Sequence, residues 1–80
     1  MKYTHCLEVI IRFSNPNAQM VHFRHTMGDS RTRHLRAAND GKTLSIQFCD
    51  KDDDVIREVN YNFNQVLEYD CLGYVGKKPE

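Results

Sequence analysis

The chain has 80 residues and carries 11 lysines and arginines against 11 aspartates and glutamates, so its formal net charge is zero. This length predicts one small domain over residues 1–76, with residues 77–80 as a disordered tail. Zero net charge gives no global reason to expect binding to nucleic acid or to a membrane surface. The longest apolar run, residues 9–11, is far too short for a membrane span.

The cysteines and the first residues of the chain indicate the cellular compartment in which the protein is expected. Three widely spaced cysteines form no CxxC motif, and their odd number argues against a disulfide framework or a zinc knuckle. The first residues do not have the pattern of a signal peptide. We therefore expect a cytoplasmic protein with reduced thiols and no membrane partner.

Residues 3–13 are predicted as the first strand, because apolar residues alternate along them. One face carries four apolar side chains: Leu7, Val9, Ile11 and Phe13. The opposite face carries Cys6, Glu8, Ile10 and Arg12. The Ser-Asn-Pro-Asn stretch at residues 14–17 ends the strand, since proline lacks a ladder donor and asparagine favours turns.

The following segment fits two structures. As a helix over about residues 16–27, it would be capped by Asn15, begin at Pro16 and end before Gly28. As a strand, its odd-numbered residues from 21 to 27 would share one face. The two end signals favour the helix.

Residues 31–63 are predicted as a meander of three antiparallel strands. Asp40-Gly41 between two alternating runs is a strong hairpin signal, because glycine adopts a positive φ without steric cost. A two-residue turn at this position pairs Asn39 with Lys42. One face then receives five apolar side chains: Leu35, Ala37, Leu44, Ile46 and Phe48. The other face receives four polar ones: His34, Arg36, Ser45 and Gln47.

An acidic stretch at residues 50–54 turns the chain into the third strand of this meander. A four-residue loop places Ile46 opposite Val59 and Leu44 opposite Tyr61. A helix starting near residue 55 is the rival interpretation. The valines, aromatic residues and asparagines of this segment favour a strand.

Residues 65–75 fit either a strand or a helix that is capped by Asn64 and ended by Gly73. The predicted fold class is α+β, a small antiparallel sheet with its core at residues 31–63 and one helix at about residues 16–27. If that segment is a strand instead, the alternative is an all-β sheet or a small open barrel.

Two charged stretches are the candidate binding surfaces. The acidic turn is the candidate for protein docking, with four carboxylates: Asp50, Asp52, Asp53 and Asp54. Guanidinium groups suit phosphate oxygens, so the basic stretch is the candidate for nucleic acid. Its residues are Arg24, Arg31, Arg33, His34 and Arg36. We expect these two poles at opposite ends of neighbouring strands or on different faces.

Two partial motifs fall short of a metal site. The His22-x-x-His25 pattern has no third ligand at a defined spacing. The alternating aspartates from residue 50 begin like an EF-hand loop, but Val55 stands where that loop needs glycine and Tyr61 where it needs glutamate. We expect no metal and no cofactor.

The sequence contains no nucleophile elbow and no glycine-rich phosphate loop, so an enzyme is not expected. It predicts a non-enzymatic regulator or inhibitor, of the small type that phages and mobile elements encode, which docks on a larger host or phage protein through a charged surface. The first alternative is an RNA- or DNA-binding protein. The second is a small metal-independent ribonuclease that uses His25 or His34. The modest core also leaves room for homodimerisation.

Overall fold

The computed structural model describes residues 2–74, so the predicted tail at residues 77–80 lies outside the described residues. The described part consists of seven strands, numbered in chain order: β1 (Lys2–Cys6), β2 (Glu8–Phe13), β3 (Val21–Arg24), β4 (His34–Asn39), β5 (Thr43–Cys49), β6 (Val55–Asn62) and β7 (Val66–Leu72). Short 3₁₀ turns lie at His25–Met27 and Phe63–Gln65. Within residues 2–74, no helix is long and apolar enough to span a membrane.

The strands form two antiparallel sheets. The four-stranded sheet has the order β1-β4-β5-β6, and the three-stranded sheet has the order β3-β2-β7. Neither sheet is closed into a barrel. Side chains from both sheets form one core. In it, the rings of Phe23 and Phe48 pack edge to face, with their centroids 6.0 Å apart.

The predicted first strand is broken at Leu7, where the chain passes from one sheet to the other. β1 pairs with β4, whereas β2 pairs with β3 and β7. Cys6 and Val9 are both fully buried, although an unbroken strand would point residues three apart to opposite faces. The break at Leu7 therefore lets both side chains enter the core between the sheets.

The prediction of an α+β fold with a helix at about residues 16–27 is wrong. The described residues contain no helix of seven or more residues, and this segment forms a loop, β3 and a 3₁₀ turn. Asn15 is part of a turn: its carbonyl oxygen accepts from the Ala18 N–H at 3.0 Å. The Met20 and Met27 side chains of this segment are 53% and 54% exposed, whereas Phe23 is buried in the core and Val21 packs against it.

The predicted meander corresponds to β4, β5 and β6. Ile46 pairs with Val59 and Leu44 pairs with Tyr61, which are the pairs predicted from a four-residue acidic loop. The five apolar side chains that the sequence placed on one face are all buried.

The register of the β4–β5 hairpin differs from the prediction by two residues, because Asn39 pairs with Leu44 rather than with Lys42. The Asp40 carboxylate accepts from the N–H groups of Lys42 and Thr43 at 2.9 and 2.8 Å, so Asp40 stands at the start of the turn and not in its centre. A shift of two residues leaves every side chain on its predicted face.

Candidate functional site

The acidic turn between β5 and β6 is organised from within. The carboxylate of Asp50 accepts from the N–H groups of Asp52 at 2.9 Å and Asp54 at 3.0 Å. Asp53 has φ 67°, and it is the one non-glycine residue with a positive φ among residues 2–74. This left-handed conformation is uncommon outside glycine, but aspartate tolerates it better than most residues. It allows the Asp53 side chain to lie over the four-stranded sheet.

Three basic side chains of that sheet contact the Asp53 carboxylate. Its Oδ1 lies 2.7 Å from Nε2 of His34, and its Oδ2 lies 3.3 Å from Nε2 of His5. The Arg36 Nη1 donates to Oδ2 at 3.1 Å. We call these four residues, His5, His34, Arg36 and Asp53, the Asp53 cluster.

Strand pairing determines the positions of the three basic residues. His5 on β1 is the cross-strand partner of Arg36 on β4, and His34 lies two residues before Arg36 on the same face. The His34 and Arg36 side chains are only 12% and 19% exposed, whereas those of His5 and Asp53 are 36% and 43% exposed. The cluster is therefore half-buried and open to solvent on one side.

The charge state of Asp53 follows from these contacts. Partial burial acts to raise the pKa of Asp53, but hydrogen bonds from His34 and His5 and the charges of His5 and Arg36 outweigh it. The pKa of this carboxyl group consequently lies below its ordinary value of 3.8. Asp53 is ionised at neutral pH, and its negative charge faces the Arg36 guanidinium.

A second set of contacts crosses all four strands of the same sheet. The Arg36 guanidinium lies over the Tyr3 ring at 4.7 Å, and its Nε donates to Oε1 of Gln47 at 2.6 Å. The Gln47 Nε2 donates to Oε1 of Glu58 at 2.8 Å. We call Tyr3, Arg36, Gln47 and Glu58 the cross-strand ladder, and we call the sheet face that carries it together with the Asp53 cluster the outer face.

Cys49 is next to the Asp53 cluster but is not suited to nucleophilic chemistry. It is the cross-strand partner of His34, and it is fully buried. Burial raises the pKa of the Cys49 thiol to about 11, even though the charge of Arg36 acts in the opposite direction. The thiol therefore stays protonated at neutral pH.

The predicted separation of an acidic and a basic pole is wrong, because Asp53 of the acidic turn contacts His34 and Arg36 of the basic strand directly. The other predicted basic residues do not join this cluster. Arg31 pairs with Asp29 at 2.7 Å, and Arg33 donates to the backbone oxygen of Ser30 at 2.8 Å.

Arg24 lies on β3 of the other sheet, 3.8 Å from Glu8. The five residues predicted to bind nucleic acid are thus distributed over three places in the fold. Of the predicted docking residues, Asp52 and Asp54 remain exposed, whereas Asp50 caps the turn.

Four residues of the outer face were not among the site residues predicted from the sequence: Tyr3, His5, Gln47 and Glu58. The predicted pairing of Ile46 with Val59 already placed Gln47 opposite Glu58, so that pair was accessible from the sequence. The pairing of β1 with β4 joins segments about 30 residues apart along the chain, and no local pattern indicates it.

Two groups of described residues have the geometry to hold a metal ion: His5, His34 and Asp53, and separately Asp50, Asp52 and Asp54. The histidines of the HxxH pattern are in neither group. His22 on β3 contacts Glu8 at 2.6 Å, and His25 lies in the following 3₁₀ turn.

Comparisons of this chain with protein-family models, with curated proteins and with solved structures find no match. The candidate function therefore rests on the geometry and charge of the outer face.

Proposed function

We propose that this protein is a non-enzymatic regulator or inhibitor that docks on a basic surface of a larger protein through its outer face and the adjoining acidic turn. The cross-strand ladder is the observation that carries the proposal. Its four side chains come from four different strands and already hold one another in place. Preorganised side chains lose little conformational freedom on binding, and tyrosine and arginine are enriched among residues that dominate binding energy.

The charge of this surface indicates the kind of partner. Arg36 and Asp53 neutralise each other across 3.1 Å. Beyond that pair, the exposed carboxylates of Asp52, Asp54 and Glu58 outnumber the exposed cations Lys51 and Arg33 beside the turn, since Arg31 is paired with Asp29. Because complementary charge favours encounter and specific orientation, a basic protein surface fits this side of the molecule.

The shape of the surface supports docking over small-molecule catalysis. One depression next to the acidic turn is lined by Arg31, Arg33, Asp50 and Lys51, and it is only about half enclosed. Small-molecule sites usually enclose most of their ligand in a concave pocket. A polar sheet face is better suited to contact with another macromolecule.

A pull-down from a lysate of the natural source, with charge-reversal variants, tests this proposal. We expect the wild type to retain a specific basic protein, and the variant Asp52→Lys to lose much of that retention. The matched control is Asp70→Lys on β7 of the three-stranded sheet, which makes the same change of net charge at an exposed position. Equal retention by the two variants, or no specific protein retained by the wild type, would contradict the proposal.

Binding of single-stranded nucleic acid is the second candidate, and one observation favours it. The half-exposed Tyr3 ring stacked with the Arg36 guanidinium is the kind of aromatic and cationic surface on which unpaired bases stack. Gel-shift titration with single-stranded RNA and DNA at low salt tests it, with Tyr3→Ala as the comparison. No shift at low salt would rule it out, since phosphate contacts are strongest there.

The small metal-independent ribonuclease that uses His25, in the 3₁₀ turn after β3, or His34, on β4, stays a prediction. The expected absence of enzymatic activity, the cytoplasmic location and the phage or mobile-element type stay predictions.

A further inference from the structure

Three metal-ligand atoms converge at one point of the outer face. One ring nitrogen of His5, one of His34 and a carboxylate oxygen of Asp53 all lie within 4.8 Å of one another. Both imidazoles direct Nε2 toward the Asp53 carboxylate, that of His34 toward Oδ1 and that of His5 toward Oδ2. This arrangement is half-buried, with Asp53 on the side that is open to solvent.

The three ligands come from three separate segments, and each is held by the fold. His5 is placed by the β1–β4 register, and His34 by the β4–β5 register, in which it pairs with Cys49. Asp53 reaches the imidazoles because its backbone adopts φ 67°. An unfavourable backbone conformation that persists at one residue is a common feature of functional sites.

We propose that His5, His34 and Asp53 form a binding site for a divalent transition metal ion of the zinc type. Two imidazole nitrogens and one carboxylate oxygen are a ligand set that zinc uses, with the fourth position left to water or to another molecule. Imidazole ligands select zinc, copper, nickel or iron over magnesium and calcium. This inference does not depend on the proposed docking function, because metal binding is measured on the protein alone.

The ligand atoms need one rearrangement before they surround an ion. Ligand atoms around a tetrahedral zinc ion lie about 3.3 Å apart when the bonds are about 2.0–2.1 Å long. His5 lies 3.3 Å from Oδ2 of Asp53 and His34 lies 2.7 Å from Oδ1, so each imidazole contacts a different oxygen of the carboxylate. Rotation of the carboxylate that turns Oδ1 toward both imidazoles, with a small outward movement of the His34 ring, would make room for the ion.

Arg36 has the position of an outer-sphere partner. Its Nη1 holds Oδ2 of Asp53, so Oδ1, which faces His34, is left as the ligand atom. The Nε of Arg36 in turn donates to Oε1 of Gln47, which fixes the position of the guanidinium. Hydrogen bonds to the ligating carboxylate orient it, and their loss typically weakens metal binding.

Titration of metal-free protein with Zn²⁺ tests the inference. The protein is dialysed against a chelator and titrated by calorimetry, and its circular dichroism is recorded for every variant. We expect one Zn²⁺ per chain, with affinity falling as the pH is lowered because protons compete for the imidazoles. The variants His5→Gln, His34→Gln and Asp53→Asn should each weaken binding by more than about tenfold.

Two variants are matched controls. His22→Gln changes a histidine that also contacts a carboxylate, that of Glu8, but lies on the other sheet. Asp70→Asn removes the same charge as Asp53→Asn from an exposed position on β7, outside both groups of possible metal ligands. Both should bind Zn²⁺ like the wild type. Absence of saturable binding at one ion per chain, or equal weakening in these controls, would overturn the inference.

Nuclear magnetic resonance of the wild type covers the case in which a ligand variant does not fold. Addition of Zn²⁺ should shift the imidazole signals of His5 and His34 and leave those of His22 in place. Unchanged signals of His5 and His34 at saturating Zn²⁺ would likewise exclude the site.

Discussion

Asp53 holds its carboxylate against two imidazoles and a guanidinium while its own backbone lies in the left-handed region. Such a conformation costs a non-glycine residue on the order of 1 kcal/mol, and aspartate and asparagine tolerate it best. The contacts with His34 and Arg36 offset that cost. A sequence of four acids in five residues indicates an exposed turn, but it does not show which carboxylate points back to the sheet.

The substitution Asp53→Asn should destabilise the protein by about 1 kcal/mol at pH 7. This is less than the roughly 1.5–3 kcal/mol of buried hydrogen bonds to charged groups, because the Asp53 side chain is 43% exposed and solvent screens its charge. Asparagine also accepts the left-handed backbone, so the loss reports mainly on the charge. Chemical denaturation at pH 7 measures it.

The same variant should change the dependence of stability on pH. The pKa of Asp53 is lower in the folded protein than its ordinary value of 3.8, so its ionised form stabilises the fold above about pH 4. That contribution is lost as the pH falls from this value through the folded pKa. The free energy of unfolding of Asp53→Asn should therefore decrease less steeply below pH 4 than that of the wild type, with Asp52→Asn as the control for net charge. An acid slope equal to that of the wild type would contradict the assigned role of Asp53.

At the scale of the element, turn chemistry determined which strands were predictable. A predicted four-residue loop placed Ile46 opposite Val59, and this pairing is found because a register irregularity between Phe48 and Cys49 accommodates the longer connection over residues 50–54. The β4–β5 register was displaced by two residues because the Asp40 side chain binds the backbone of Thr43 and moves the turn by one position. Side-chain bonds to the backbone of this kind depend on the folded loop, so composition alone does not reveal them.

The segment after β2 was wrongly predicted as a helix because its end signals are not specific to helices. Asn15 and Pro16 are typical of both a helix start and a turn, and here they form a turn. The cross-strand pairing of Phe23 with Val9 and the burial of Phe23 in the common core decide the outcome. This preference for a strand arises from contacts with residues far away in the chain, which a local pattern does not contain.

Gly28, which follows the 3₁₀ turn after β3, should not tolerate a side chain. A Cβ atom there would lie 2.9 Å from Cδ2 of Phe48 and would overlap Oγ1 of Thr32. We expect Gly28→Ala to lower the free energy of unfolding by about 1–3 kcal/mol, the usual cost of overpacking. Chemical denaturation of Gly28→Ala alone and combined with Thr32→Ala provides the measurement. The second substitution should recover part of the loss, and strictly additive losses would argue against the predicted overlap.

At the scale of the whole molecule, two sheets share one core, and among residues 2–74 this arrangement leaves the polar side chains of the outer face accessible. Phe48, Leu44 and Ile46 are fully buried between the sheets, so alternate residues of the same strand, such as Gln47, must point outward. The sequence predicted these two faces correctly. It did not predict that β1 would add Tyr3 and His5 to the outer face, because the β1–β4 pairing is long-range.

The acidic turn closes on the basic strand through Asp53, which creates one site from three distant segments. A double-mutant cycle between Asp53→Ala and His34→Ala, followed by chemical denaturation, tests it most directly. Residues in direct contact show coupling energies of about 0.5–3 kcal/mol, whereas separated residues show values near zero. We predict a coupling of at least about 0.5 kcal/mol for Asp53 with His34, and a smaller one in the parallel cycle of Asp52 with His34. A coupling with His34 that is no larger for Asp53 than for Asp52 would contradict a direct contact between Asp53 and His34.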